Sequence, residues 1–164
     1  MRKQWSITMV AVCGAALFAL QCAQPKPDTS AADETAIRQF NPAWFKAYNS
    51  GDANAIAALY AENGVLNPPG APAARGVKAI REYLAKDLAE AMSSGVTLVA
   101  GSATDFGMSA DLAWEWGTFT VRGKDGNTID AGKYITVFGK KDGKWSIIRD
   151  IWNSDGPMEK QKMN

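Results

Sequence analysis

The sequence predicts an α+β fold in which a strongly curved antiparallel sheet wraps around helices that come before it in the chain. Apolar residues recur at three- and four-residue spacing as far as Met92, which is typical of amphipathic helices. From Val96 onward, apolar and polar residues alternate as they do in strands. Asp125-Gly126 and Asp142-Gly143 interrupt the alternation and are typical of tight hairpins. Helices followed by strands indicate an α+β domain with its core between the two layers.

Three helices are expected in the N-terminal half of the domain. The first has an apolar face over 37–48. Pro42 predicts a kink there, or a helix that begins only after it, because proline has no N–H and crowds the carbonyl four residues earlier. The other two helices are expected over 53–61 and 77–92, with a short strand at 65–67 between them.

Strands are expected in the C-terminal half at about 96–106, 112–122, 130–139 and 144–153. Hairpins centred on their turns place Lys133 opposite Asp150 and Val137 opposite Glu115. The face that these residues share is apolar apart from two carboxylates and one amine, and we expect the helices to cover it. Its members are Glu115, Gly117, Phe119, Lys133, Ile135, Val137, Ile148, Asp150 and Trp152.

The opposite face of the predicted sheet is rich in tryptophan and other apolar residues. Its members are Trp114, Trp116, Thr118, Tyr134, Thr136, Phe138, Trp145, Ile147, Arg149 and Ile151. A face of this composition is too apolar to remain in water. We therefore expect a second copy of the chain to cover it, which makes the protein a homodimer through the outer sheet face.

Composition excludes several classes of site and partner. The 164 residues include no histidine, so a Ser-His-Asp triad, a Cys-His dyad and a histidine-ligated zinc are ruled out. A formal charge of +1 gives no basic field for nucleic acid, which is not an expected partner. No metal or cofactor is expected. The two cysteines, Cys13 and Cys22, both precede the domain, so no disulfide is expected within it.

The first 22 residues have the pattern of an export signal. A positive start, Met1-Arg2-Lys3, precedes an uncharged apolar run over 6–20 that is too short for a comfortable membrane span. Cys22 follows Ala19-Leu20-Gln21, which resembles a lipoprotein cleavage box, although Gln21 is larger than usual there. Either Cys22 carries a lipid, or ordinary signal cleavage occurs nearby.

The chain is accordingly divided into an export signal, a tether, a domain and a tail, over 1–22, 23–30, 31–157 and 158–164. Two prolines and several polar residues make the second segment typical of a tether. We expect the domain to lie in the periplasm or at the cell surface. Contact with a membrane is expected only through a lipid on Cys22.

Several segments resemble a known family. They include Asn49-Ser50-Gly51-Asp52, Gly132-Lys133-Tyr134 and Arg149-Asp150-Ile151-Trp152-Asn153-Ser154-Asp155, in the same order of elements. Over about 36–155, the sequence resembles the SnoaL-like and ketosteroid isomerase-like group of the nuclear transport factor 2-like superfamily, in its exported branch. The resemblance implies a cone-shaped domain whose pocket serves isomerases, cyclases, dehydratases, hydrolases or binding modules. Activity must therefore be argued from the site.

Steroid isomerisation does not fit the residues of this chain. That chemistry uses an Asp base together with a Tyr and a protonated Asp that share an enolate oxygen. When the sequences are aligned on Gly51-Asp52, the tyrosine position falls at Trp44, the base position at Asn67 or Pro68, and the protonated Asp position near Ile135. Since all three functional groups differ, that mechanism is not expected here.

The candidate catalytic residues are Glu115, Lys133 and Asp150 on the predicted inner face. Asp150 is the candidate base, and Lys133 is expected to tune it or to bind an oxyanion. The candidate ligand-binding residues are Trp44, Tyr48, Tyr60, Asn67, Phe119 and Trp152. In the alternative interpretation, Lys133 and Asp150 only neutralise each other across strands, and a nearby donor satisfies Glu115.

The favoured function is an exported domain that binds a small, mainly apolar molecule with one polar end. One alternative is a proton-transfer isomerase or lyase that uses a pocket carboxylate. The other is a ligand-free dimeric interaction module.

Replacing Cys22 tests the lipid anchor. If Cys22 is lipidated, Cys22→Ala in the full chain should move the protein from the membrane fraction to the soluble fraction, because no lipid remains to anchor it. Cys13→Ala, within the apolar run, is the matched control and should leave the distribution unchanged. Equal membrane association of both variants and the parent chain would reject lipidation. The measurement is immunoblotting of separated membrane and soluble fractions.

Overall fold

The computed structural model describes residues 30–156, apart from the side chains of residues 102–104. The predicted export signal, Cys22, almost all of the tether and the tail lie outside the described residues. The elements in chain order are α1 (Ser30–Ile37), α2 (Phe40–Asn49), α3 (Ala53–Ala57), β1 (Tyr60–Asn67), β2 (Ala74–Arg75), α4 (Gly76–Ser94), β3 (Thr97–Ser109), β4 (Leu112–Arg122), β5 (Thr128–Lys141) and β6 (Lys144–Ser154). The predicted α+β fold, with helices and a curved antiparallel sheet, is confirmed.

The helices differ from the prediction mainly at their ends. The first predicted helix is two helices, α1 and α2, with the break at Arg38 and Gln39. Pro42 lies in the first turn of α2, where its missing N–H costs nothing, and its ring would crowd the carbonyl of Arg38 if one helix ran through. Asp52 caps α3 by accepting a hydrogen bond from the Ala55 N–H at 2.9 Å. The α3 helix ends at Ala57, earlier than expected, because β1 begins at Tyr60.

The six strands form one sheet in the order β2-β1-β6-β5-β4-β3. β1 runs parallel to β6, and every other neighbouring pair is antiparallel. The β5–β6 hairpin turns through Asp142 and Gly143, whose φ angles of 51° and 77° suit its two-residue loop. Of the helices, none in residues 30–156 is both long enough and apolar enough to cross a membrane.

The register of β5 differs from the prediction and reverses its faces. Thr136 pairs with both Glu115 and Asp150, whereas Lys133 pairs with Thr118 and Asn153. The expected pairing of Lys133 with Asp150 is therefore wrong.

Two local features change the pairing of β5 with β6, and the pairing of β5 with β4 has a separate shift between Val121 and Arg122. The β5–β6 loop takes only two residues, so Lys141 already pairs with Lys144. Farther along, Val137 pairs with Arg149 and Phe138 with Ile147, so that Ile148 is an extra, bulged residue. A shift of one residue exchanges the two faces of a strand. The inner face of β5 therefore carries Tyr134, Thr136 and Phe138, while Lys133, Ile135 and Val137 lie on the outer face.

The core lies between the helices and the inner face of the sheet. Its most completely buried side chains are Ile37, Ile56, Leu66, Ile80, Leu84, Leu88, Phe138 and Ile147. Tyr134, Thr136, Phe138 and Ile147 were expected on the outer face and are buried here. Trp145, also expected outside, packs against the core, and its indole N–H donates to Asp33 at 2.9 Å.

A smaller apolar patch remains on the outer face. We call it the outer patch, and it consists of Trp114, Trp116, Ile135 and Ile151, which are 39%, 36%, 39% and 47% exposed. Trp114 and Trp116 lie on β4, and Ile135 pairs with both Trp116 and Ile151 across the neighbouring strands. The patch is therefore continuous over three strands. Its members on β4 and β6 were predicted on this face, whereas Ile135 was predicted on the inner face.

Candidate functional site

A cavity of about 270 Å³ lies between the helices and the inner face of the sheet. It is lined by Asn41, Trp44, Phe45 and Tyr48 of α2, Asp87 of α4, Phe119 and Val121 of β4, Asp130, Tyr134 and Thr136 of β5, and Asp150, Trp152 and Ser154 of β6, together with Pro69, Val96 and Leu98. The wall is mostly aromatic and aliphatic, with a few polar groups. This composition is typical of small-molecule sites.

Asp150 is the most buried ionisable group in the cavity wall, with 6% of its surface exposed. Its Oδ2 accepts a hydrogen bond of 2.6 Å from the Tyr60 hydroxyl, and its Oδ1 accepts one of 3.0 Å from the Thr136 hydroxyl. Burial raises the pKa of Asp150, although hydrogen bonds from Tyr60, Thr136 and the backbone oppose the rise. Desolvation dominates because both side-chain partners are neutral.

Tyr60 is held as a hydrogen-bond donor. Burial and the nearby Asp150 charge raise the pKa of Tyr60 well above its usual value, so its hydroxyl stays protonated. The indole N–H of Trp44 in turn donates to the Tyr60 oxygen at 3.2 Å. A chain of donors therefore runs from Trp44 in the cavity wall through Tyr60 to the carboxylate of Asp150.

Among residues 30–156, no cation neutralises Asp150. Lys133, which was expected beside it, lies on the outer face and pairs with Asp155, with 43% of its side chain exposed. Lys140 pairs with Asp33 at 2.7 Å. Within residues 30–156, no Lys or Arg lines the cavity. The alternative in which Lys133 and Asp150 neutralise each other is therefore wrong, as is the placement of Lys133 in the site.

Glu115 lies on the inner face, as expected, but behind the cavity wall. It is 4% exposed, and its Oε1 accepts hydrogen bonds from the Asn41 amide at 2.5 Å and the Tyr134 hydroxyl at 2.9 Å. Burial, followed by the Glu115 charge, raises the pKa of Tyr134, which therefore stays a donor. The absence of a side chain at Gly117 leaves room for the Tyr134 hydroxyl to reach Glu115, because a Cβ at this position would lie 2.4 Å from the hydroxyl oxygen. A nearby donor thus satisfies Glu115.

Of the six residues predicted for ligand binding, four line the cavity and two lie behind or outside its wall. Trp44, Tyr48, Phe119 and Trp152 line the cavity. Trp44 and Tyr48 stack with ring centroids 5.3 Å apart and planes 13° apart. Tyr60 lies behind the cavity wall, where its hydroxyl donates a hydrogen bond to Asp150. Asn67 is half-buried outside the cavity lining, where its amide donates to the Asp150 backbone carbonyl at 3.1 Å.

Asp87 is a cavity residue that was not predicted from the sequence. It lies on α4 and faces the cavity beside Tyr48. Burial raises the pKa of Asp87, hydrogen bonding from Tyr48 lowers it in part, and the Glu90 charge raises it further. Its position three residues after Leu84 placed it on the apolar face of the helix, which was the available signal. Tyr134 and Thr136 were missed as site residues because β5 was assigned the wrong face.

The acidic residues do not form a metal site. Within residues 30–156, no group of three or more His, Cys, Asp or Glu side chains is placed to hold a metal ion. The chemistry of the cavity therefore has to be argued from its carboxylates, hydroxyls and aromatic rings.

Comparison with known proteins gives the fold family. A sequence profile of the SnoaL-like domain matches residues 42–148, which is more than half of the chain. No curated protein matches the sequence. The chain is similar to a solved ketosteroid isomerase-like protein from Erwinia carotovora, with a TM-score of 0.57 and 25% identity over 75% of this chain and 96% of that one.

Two further solved structures share the fold at lower identity. One is a nuclear transport factor 2-like protein with a cystatin-like fold from Novosphingobium aromaticivorans, with a TM-score of 0.67 and 20% identity over 73% of this chain and 80% of that one. The other is a hexachlorocyclohexane dehydrochlorinase from Novosphingobium barchaimii, with a TM-score of 0.67 and 13% identity over 77% and 88%. The profile match confirms the SnoaL-like resemblance drawn from the sequence, and the solved structures agree in fold: the chain belongs to the SnoaL-like domain family.

Proposed function

We propose that the cavity binds a small, mainly apolar molecule that presents one polar end to Asp150. The observation that carries the proposal is a buried carboxylate in an aromatic-walled cavity, whose side-chain partners within residues 30–156 are neutral donors. A carboxylate in this setting has lone pairs to offer a ligand and little water to compete for them.

The size of the cavity supports a small ligand. At about 270 Å³ it falls just below the range of roughly 300–1,000 Å³ that is usual for sites of drug-sized molecules. The stacked pair of Trp44 and Tyr48 forms one wall, and Phe119 and Trp152 contribute to the opposite, sheet side. Such walls favour a flat or bulky apolar body. A cavity of this size also makes the ligand-free interaction module the least supported of the three functions.

Proton transfer is the second candidate function. A general base works best when its pKa lies near the working pH, and burial moves the pKa of Asp150 in that direction. In an isomerase, the Asp150 carboxylate would take a proton from a carbon of the substrate and return it to another carbon. In a lyase, the electron pair left by that proton would form a double bond and expel a leaving group. The dehydrochlorinase and the ketosteroid isomerase-like protein, which share this fold, lend this candidate its support.

Native mass spectrometry tests ligand binding directly. The processed protein should carry a small molecule of defined mass that is released on unfolding. Leu98→Trp should lower the occupied fraction because the larger side chain fills the cavity that Leu98 lines. Val99→Trp is the matched control, since Val99 is the next residue on the same strand and is 39% exposed. Equal occupancy in the two variants would place the molecule outside the cavity.

Asp150→Asn should separate a site carboxylate from a structural one. Because burial raises the folded-state pKa of Asp150 above its value in the unfolded chain, ionisation destabilises the fold. This destabilisation is absent at pH values below the pKa of Asp150 in the unfolded chain. It grows as the pH rises towards the pKa of Asp150 in the folded chain, and it is complete above that second pKa. The asparagine variant does not ionise. It should therefore be more stable than the parent at pH 7.5, and this advantage should disappear at about pH 3.

Urea denaturation of parent and variant at the two pH values measures this difference. Asp111→Asn, at an exposed turn, is the control and should change stability by less than about 0.5 kcal/mol at either pH. A variant that is destabilised equally at both pH values would assign Asp150 a structural role. If the domain is an enzyme, Asp150→Asn should also abolish turnover, and unchanged turnover would remove Asp150 as the base.

We also propose that the domain is exported and that two copies associate through the outer patch. Export rests on the N-terminal signal pattern, and the cysteine-free domain is consistent with it. Association rests on two exposed tryptophans beside two exposed isoleucines, because aromatic side chains dominate the binding energy of protein interfaces. A two-fold axis through the patch would bring the same side chains together from both copies.

Trp116→Glu tests the dimer. The parent should be a dimer by light scattering at tens of micromolar, and the variant should dissociate at least about 30-fold more readily, since loss of an interface tryptophan costs about 2 kcal/mol or more. Ile129→Glu adds the same charge at a residue that is 60% exposed outside the patch, and should remain dimeric. A monomeric parent at that concentration would reject the proposal.

A further inference from the structure

We propose that the ligand of this cavity is an organic cation, with an ammonium group on a compact apolar body. This inference rests on the proposed binding function and specifies the chemical class of the ligand. It follows from three properties of the cavity wall: its charge, the partners of its carboxylates, and the character of its rings.

The wall is acidic without any compensating base. Asp87, Asp130 and Asp150 all line the cavity, on α4, β5 and β6, and within residues 30–156 no lysine or arginine joins them. The three carboxylates come from three different elements and enclose a space, so they are not a run of charge on one surface. An anionic ligand would meet carboxylates here and no positive side chain.

The hydrogen-bond partners of these carboxylates orient them but carry no positive charge. Asp150 accepts from two hydroxyls, and Asp130 accepts from the Ala131 N–H at 2.8 Å and the Ser154 hydroxyl at 2.9 Å. Asp87 is hydrogen-bonded by the Tyr48 hydroxyl. Each of these donors is neutral. The positive charge that a buried carboxylate usually has beside it is therefore missing from the wall, and a bound cation would supply it.

The rings of the cavity suit a cation as well as an apolar body. Trp44, Phe45, Tyr48, Phe119, Tyr134 and Trp152 all contribute to the lining. An aromatic face attracts an ammonium group through its quadrupole, most strongly in tryptophan and in sites from which water is excluded. A neutral apolar ligand would use the same rings but would leave the carboxylates without a counter-charge.

Three probes with one skeleton test the inference. Phenyltrimethylammonium is the cation, tert-butylbenzene is its uncharged isostere, and 2-methyl-2-phenylpropanoate is the anion. The processed protein is titrated with each, and dissociation constants are read from the indole N–H signals in NMR spectra. Trp44 and Trp152 report on the cavity, whereas Trp114 and Trp116 report on the outer patch.

The cation should shift the signals of Trp44 and Trp152 and bind roughly tenfold tighter than the isostere, with the anion weakest. Asp150→Asn and Asp87→Asn should each reduce this preference, and Asp111→Asn should leave it unchanged. The two cavity variants are independent, so a folding defect in one leaves the other to decide.

Other outcomes overturn the inference in distinguishable ways. If the isostere or the anion binds in the cavity as tightly as the cation, the cavity binds small molecules but the cationic class is wrong. If the cation shifts only the signals of Trp114 and Trp116, its site is not the cavity and the inference is wrong. If none of the probes shifts Trp44 or Trp152, the cationic class and the proposed binding function both fail.

Discussion

The structure of the site depends on one constraint: Asp150 is buried beside an open space, and in the part of the chain that the structure describes its side-chain partners are neutral donors. The Tyr60 and Thr136 hydroxyls bind its two oxygens and fix its orientation. They do so without supplying charge, which is why burial prevails in raising the pKa of Asp150. A lysine in their place would give a satisfied ion pair with little left to offer a ligand. The neutral partners therefore order the carboxylate without bringing a positive charge to it.

The sheet makes this arrangement possible through its register. Thr136 pairs with Glu115 on one side and with Asp150 on the other, so β5 carries a hydroxyl between two buried carboxylates. The β4–β5 pairing is set in part by two reciprocal contacts, because Gly117 lies opposite Tyr134 and Gly132 lies opposite Phe119. A Cβ at either glycine would lie 2.4 Å from the facing side chain, from the hydroxyl oxygen of Tyr134 or from the ring of Phe119. Each aromatic side chain therefore covers the glycine across from it.

The sequence was sufficient for the order of elements, for the faces of β4 and of β6 beyond the bulge at Ile148, and thus for the inward positions of Glu115 and Asp150. It was not sufficient for β5, because that strand alternates apolar residues on both of its faces and hydrophobicity cannot choose between them. The bulge at Ile148 has no distinctive residue pattern, and it changes the pairing of every residue beyond it. The two glycine–aromatic pairs would have given the correct β4–β5 register.

The same register explains why the charge balance of the cavity was misjudged from the sequence. The predicted register of β5 placed Lys133 in the site and Thr136 on the outer face. The prediction therefore had a cation beside Asp150 where the structure has a neutral donor. In the structure Lys133 pairs with Asp155 on the outer face, and the carboxylates of the cavity keep no positive side chain of their own. Uncompensated buried charge destabilises a fold, and such costs are typically retained where function needs them. The absence of a positive side chain from the described cavity wall is therefore the property of the site for which a binding or catalytic function would account.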